Sequence, residues 1–180
     1  MAKEILLLLG SPRTGGNTRL LARAFRRGAE EAGHRVTEVD VSRGQIRPCL
    51  ACGRCLERGG VCVQRDGMAE LDPLLDTADA LVLACPVYYS GMPAQVKAVV
   101  DRLFARLEKG CHVRECALLT ASADGLGESG VECLISHFRA VAAYLKWTNR
   151  GVVYAPGLWA AGDAAGGPAE REARALGREF

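Results

Sequence analysis

Two hydrophobic rhythms alternate along this chain. Glu4–Leu9 (EILLLL) is an almost unbroken apolar run, the pattern of a parallel strand covered on both faces. A polar, glycine-containing stretch, Gly10–Thr18, follows it. Leu20, Leu21, Ala24 and Phe25 then recur at helical spacing, and Gly33 closes that helix. His34–Val41 alternates with period two and predicts a second strand. Residues 43–68 break the rhythm. Met68–Ala78 reads as a short helix, Asp79–Cys85 as a third strand, and Pro86–Pro93 as a turn. Ala94–Leu107 reads as a helix with Val96, Val99, Val100, Leu103 and Leu107 on one side. Glu115–Thr120 is a fourth strand, Ser122–Gly130 a loop, and Val131–Lys146 a helix. Thr148–Tyr154 is a weaker fifth strand. Pro156–Pro168 is a Gly/Ala loop, and Ala169–Arg178 a last helix.

Five strand–helix units without repeat or linker, in 180 residues, predict an α/β fold with one doubly wound parallel sheet in a single domain. Such a sheet binds its ligand beyond the carboxyl ends of its strands, where strand order reverses. The loops after strands one, three and four are therefore the candidate site. With 49% hydrophobic and 24% charged residues the composition is that of a globular protein, not a disordered one. No apolar run approaches a bilayer span, and the N-terminus lacks a signal-peptide layout, so a cytoplasmic protein without membrane contact is expected. The net charge of +2 is too weak to imply nucleic-acid binding. It is uneven, however: residues 1–65 hold 12 Lys and Arg against 6 Asp and Glu. A basic N-terminal part favours phosphate or an acidic partner.

The first loop brings Ser11, Arg13, Thr14, Gly15, Gly16, Asn17 and Thr18 to the start of a helix. Hydroxyls, glycine amides and a helix N-terminus together form an anion cradle. The loop lacks the Gly-Lys-Ser/Thr ending of a P-loop and the Gly-x-Gly-x-x-Gly of a dinucleotide turn, so it points to a mononucleotide phosphate. The plainer reading is a helix cap by Asn17 or Thr18. After strand three, Tyr88 and Tyr89 stand between Pro86 and Pro93, where a planar ring would lie. The plainer reading there is a rigid turn whose tyrosines only pack.

GSPRTGGNT followed by PVYYSGMPAQVKAVVDR resembles the NAD(P)H-dependent FMN reductases, over roughly residues 3–145. The resemblance implies a flavodoxin-like sheet in the order 2-1-3-4-5, with FMN as cofactor. Its phosphate would be held by Ser11, Arg13, Gly16, Asn17 and Thr18. Pro86, Val87, Tyr88, Tyr89, Ser90 and Gly91 would flank the isoalloxazine, and Thr120, Ala121 and Ser122 would close its other edge. No side chain is needed as general acid or base, because the flavin carries the chemistry. NAD(P)H would donate by stacking on the flavin, and a small molecule would accept the electrons. Arg13, Arg47 and Arg54 are candidates for a nicotinamide 2′-phosphate on charge alone.

Four of the eight cysteines are clustered as Cys49-x2-Cys52-x2-Cys55-x6-Cys62, within the insertion at about 43–68. Four thiolates on so short a segment can ligate one [4Fe–4S] cluster. The spacing resembles that of the iron–sulfur flavoproteins of archaea and bacteria. That resemblance implies a cluster near the FMN of a neighbouring subunit, ferredoxin as a donor, and a homodimer or homotetramer. Three other readings stay open: structural zinc, unmetallated thiols, and a redox disulfide. Cys85, Cys116 and Cys133 lie in apolar patterns and read as small hydrophobes. The competing functions are a cluster-free FMN or quinone reductase, a flavodoxin-type electron carrier, and a metal-binding interaction module. Flavodoxins are strongly acidic, and the positive net charge counts against the carrier.

Overall fold

The hydrophobic runs pair as one parallel sheet. The computed structural model describes residues 1–123 and 129–180. Its strands are β1 (Glu4–Leu9), β2 (Arg35–Asp40), β3 (Ala80–Pro86), β4 (Glu115–Ala121) and β5 (Thr148–Ala155), in the order β2-β1-β3-β4-β5. All pairs are parallel, and the register sets Leu6 beside Leu81 and Leu83 beside Leu118. The helices are α1 (Asn17–Glu31), α2 (Met68–Leu75), α3 (Ala94–Arg102), α4 (Arg106–Lys109), α5 (Ser129–Tyr144) and α6 (Pro168–Arg178).

Alternation along each strand divides the core in two. Ile5, Leu7, Ala80, Val82, Ala117 and Leu119 face α1 and α6, where Leu21, Phe25 and Ala173 cover them. Leu6, Leu8, Leu81, Leu83 and Leu118 face α2, α3 and α5, where Leu71, Leu75, Val99 and Leu134 cover them. Both faces are apolar, which is why β1, β3 and β4 read as continuous runs. β2 is an edge strand, exposed at Arg35 and Thr37 and only partly buried elsewhere.

The α1/α6 contact is unusually close. A Cβ on Gly28 would stand 2.0 Å from the Arg174 carbonyl oxygen, and one on Gly177 would stand 2.1 Å from that of Phe25. Each glycine lets the other helix's backbone in.

Apart from shifts of one or two residues at element ends, the bounds follow the sequence pattern with three differences. α2 stops at Leu75, three residues early; Asp76 there takes bonds from Arg106 and Lys109. The helix expected over Ala94–Leu107 is interrupted by a 3₁₀ turn at Leu103–Ala105. That turn lies between two buried arginines, Arg102 and Arg106, both reaching towards α2 and the chain just before it. Part of the loop expected at Ser122–Gly130, residues 124–128, lies outside the described residues, and α5 begins at Ser129.

Candidate functional site

At the carboxyl end of the sheet the first loop, the β3–α3 turn and the end of β4 enclose one cleft of about 140 Å³. Of the residues read from sequence, it is lined by Ser11, Arg13, Gly16, Asn17, Thr18, Pro86, Val87, Tyr88, Ala121 and Ser122. The walls are tied together by main-chain bonds: the N–H of Val87 donates to the Ala121 carbonyl (3.0 Å), and that of Leu158 to the Ser122 carbonyl (2.9 Å).

Gly16 is the N-cap of α1, with extended backbone and no side-chain cap bond, so neither Asn17 nor Thr18 acts as the cap. The first turn of α1 therefore presents amides uncapped by protein to the cleft, the arrangement that favours an anion. Ser11 is buried, and its Oγ accepts from the Arg13 N–H at 3.3 Å. Arg13 is exposed and has no ion pair among the described residues. Arg19, which nothing in the sequence singled out, fixes this loop. Its guanidinium donates twice to the Ser11 carbonyl (3.1 and 2.9 Å) and also to Asp40. Burial pushes the Asp40 carboxyl up, but bonds from Ser42 and Arg19 hold it below its ordinary value.

The β3–α3 turn is a two-residue hairpin. Tyr88 and Gly91 exchange backbone bonds of 3.0 and 2.9 Å, and the central residues Tyr89 and Ser90 both have positive φ (46° and 62°). That is the conformation of a type I′ turn, which favours Asn-Gly, so a tyrosine and a serine hold it under strain. The turn separates the residues that the resemblance sets beside a ring. Tyr88 lines the cleft, Tyr89 is fully exposed, and Ser90 and Gly91 belong to the turn without lining the cleft. Strand alternation buries Thr120 completely within the sheet, outside the cleft lining, and its Oγ1 has no hydrogen-bond partner among the described residues. Cys85, beneath the turn, is wholly buried, and burial pushes its thiol up to about 12.

Asn17 differs from expectation in its chemistry. Its side-chain amide is engaged with the β5–α6 loop, not with open space. That loop brings Leu158 and Ala161, and the β4–α5 loop brings Ala123, to the cleft wall. These are apolar residues in Gly/Ala-rich sequence, and no signal marked them. On the cleft floor Ser122 Oγ and Tyr154 OH share a 2.7 Å hydrogen bond.

The four clustered cysteines line a second, small cavity of about 20 Å³, together with Leu50, Val63 and Phe104. Positive φ at Ala51, Gly53, Gly59 and Gly60 winds the segment round this point. The Ala51 N–H donates to Cys49 Sγ at 3.4 Å. Among the described residues no three His, Cys, Asp or Glu side chains are grouped as a single-ion site requires, and there is no disulfide. A four-iron cube takes one thiolate at each iron, so its ligands stand wider than those of a single ion. Four thiols round one apolar hollow, with an amide bonded to sulfur, fit that group. Cys133, expected in an apolar pattern, is exposed on α5.

The insertion is closed at its base. Arg102 of α3, 2% exposed at its side chain, donates to both Asp66 oxygens (2.9 and 3.2 Å) and to the Arg47 carbonyl (3.0 Å). Asp66 also accepts from the N–H groups of Arg47 and Met68. Burial pushes this carboxyl up, but the Arg102 guanidinium and then the two backbone N–H groups lower it to about 2.

A family model described as NADPH-dependent FMN reductase matches residues 4–162. The chain belongs to the NADPH-dependent FMN reductase family. Two relatives are named iron–sulfur flavoproteins. One, from Archaeoglobus fulgidus, is 44% identical over 96 residues, covering 53% of this chain and 43% of that one. The other, from Methanosarcina thermophila, is 37% identical over 99 residues, covering 55% and 51%. The chain thus spans about half the length of the curated relatives it matches. Among solved structures, the NAD(P)H:quinone oxidoreductase of Methanothermobacter marburgensis superposes with a TM-score of 0.75 at 21% identity, covering 99% and 96%. An FMN-dependent NADH-azoreductase of Bacillus anthracis in complex with FMN gives 0.68 at 13%, covering 99% of both. These likenesses place the reductase-family chain in the flavodoxin-like fold. No described helix is long and apolar enough to cross a membrane.

Proposed function

We propose that this chain binds FMN in the cleft and passes electrons from NAD(P)H or ferredoxin to a small-molecule acceptor, with a [4Fe–4S] cluster on Cys49, Cys52, Cys55 and Cys62. The observation that carries this reading is convergence. Loops about 70 residues apart in sequence, each read separately as a phosphate loop and a ring-flanking turn, bound a single cleft beside an uncapped helix.

When bound, FMN supplies both hydride and one-electron chemistry. The chain's part is to bind and orient it. The first-turn amides of α1, Ser11 and Arg13 would take the phosphate dianion. Pro86, Val87 and Tyr88 would form one wall against the ring, and Ala121 and Ser122 its far edge. Of the three arginines considered for a nicotinamide 2′-phosphate, only Arg13 lines the cleft. Arg47 is held at Asp66, and Arg54 lies on the cysteine insertion. The thiolates would hold the cluster against Leu50, Val63 and Phe104. Exposed Leu50, Leu56, Val61, Phe104, Leu107 and Tyr144 support a homodimer or homotetramer, since together they form much apolar surface for a monomer to leave bare.

The test is the visible spectrum and iron content of protein purified without oxygen. Flavin bands, a broad iron–sulfur shoulder and about four irons per chain are expected. Flavin without iron after cluster reconstitution would leave a cluster-free FMN or quinone reductase. Absence of flavin after reconstitution would overturn the reading.

A further inference from the structure

The sequence points Asn17 at a phosphate, and the structure gives its side chain a different task. Its Nδ2 donates to the carbonyls of Leu158 (3.4 Å) and Ala160 (2.9 Å). Its Oδ1 accepts from the N–H groups of Gly162 and Ala164, both at 3.1 Å. An amide side chain offers two donors and two acceptor lone pairs. All four are used on main-chain atoms of one segment, more than 140 residues away in sequence. Nothing on that side chain remains for a ligand.

The clasped segment reaches the cleft. Leu158 and Ala161 line it, Ala161 lying between two residues that Asn17 bonds. The cleft residues nearest Asn17 in sequence are Ser11, Arg13, Gly16 and Thr18, so the segment is fastened at the end of the cleft where the anion cradle lies. The segment also folds on itself: Asp163 accepts from the Ala160 N–H at 2.7 Å, and Gly162 has a φ of 99°.

We propose that Asn17 is a specificity-determining positioning residue: by clasping residues 158–164 across the phosphate end, it closes the cleft after a single phosphate, so that FMN is accepted and FAD refused. FAD must continue beyond that phosphate into a second phosphate and an adenosine, through the space the segment occupies. The proposal rests on the FMN reading of the cleft.

The experiment compares wild type, Asn17→Ala and Asp163→Ala. Dissociation constants for FMN, FAD and riboflavin are read by flavin fluorescence, and hydrogen exchange of 158–164 is followed without flavin. Asp163 is exposed and lies outside the cleft, so its loss loosens the segment without touching a ligand. In Asn17→Ala the preference for FMN over FAD should fall by about tenfold, the scale of one lost hydrogen bond's free energy. Exchange at Gly162 and Ala164 should quicken. Asp163→Ala should move both readouts in the same direction by less. If Asn17→Ala instead erases the difference between FMN and riboflavin, with FAD discrimination and exchange unchanged, Asn17 binds phosphate itself and the proposal is overturned. A wild type that binds no flavin, in which Asn17→Ala still quickens exchange, would leave the clasp standing. It would overturn the FMN reading and the specificity claim with it.

Discussion

Replacing Arg102 by methionine tests how the cysteine insertion is held. The guanidinium and the Asp66 carboxylate are 2% and 6% exposed, and three hydrogen bonds join Arg102 to Asp66 and the Arg47 carbonyl. Methionine fills much of the volume and leaves Asp66 a buried anion with two backbone N–H donors. The exposed Arg47 Nε stands 3.6 Å away. Removing one partner of a buried pair costs about 3–5 kcal/mol, a large part of a typical stability of about 5–15 kcal/mol. Part of the interaction can be read from pH. A carboxyl lowered from 3.8 to about 2 contributes about 2 kcal/mol at neutral pH. Because the folded value is the lower one, that contribution is present above about pH 4 and is lost as pH falls through about 2. Urea unfolding at pH 7 and down a pH series, on wild type, Arg102→Met and the double variant Arg102→Met/Asp66→Asn, measures both. The double variant should recover more than half of the loss, since it removes the uncompensated charge. A single-variant loss below about 1 kcal/mol, or a double variant no better than the single, would refute the clamp.

Two further outcomes follow from backbone geometry. Gly177→Ala places a methyl 2.1 Å from the Phe25 carbonyl oxygen, so thermal unfolding should show a loss of about 1–3 kcal/mol as α6 is forced off α1. Replacing Tyr89-Ser90 by Asn-Gly puts the residues a type I′ turn prefers at φ 46° and 62°; the flavin-free protein should gain about 1 kcal/mol or more in chemical denaturation.

What the sequence made legible follows from how far each signal travels along the chain. β1 begins and ends at Glu4 and Leu9 as read, because both its faces are buried and every position after Glu4 is apolar. The first loop and Tyr88 were found because polar and aromatic residues stood out at the carboxyl ends of strands, where such sheets bind ligands. Asn17 lines the cleft, and its side-chain bonds to the β5–α6 loop are invisible in the sequence, since the partners lie more than 140 residues on. Leu158 and Ala161 carry no chemistry that would mark them. Arg102 reads as an ordinary helix cation; only its meeting with Asp66, 36 residues earlier, makes it a buried anchor. Tyr89 was expected beside a ring, but turn handedness, which dipeptide composition did not favour here, aims it outwards.

α3 has a mechanical consequence. It starts at Ala94, capped by Pro93 just after the Tyr88 turn, and finishes at Arg102, where the cysteine segment is pinned. Nine helical residues make a stiff strut of roughly 13 Å. A flavin in the cleft and a cluster on the cysteines, as proposed, would thereby be mounted on a common beam, their spacing set by a helix length and not by the wandering of two loops. Thermal jitter in either loop changes an angle more than a gap, so within one chain the distance an electron would cross is built in before any cofactor arrives.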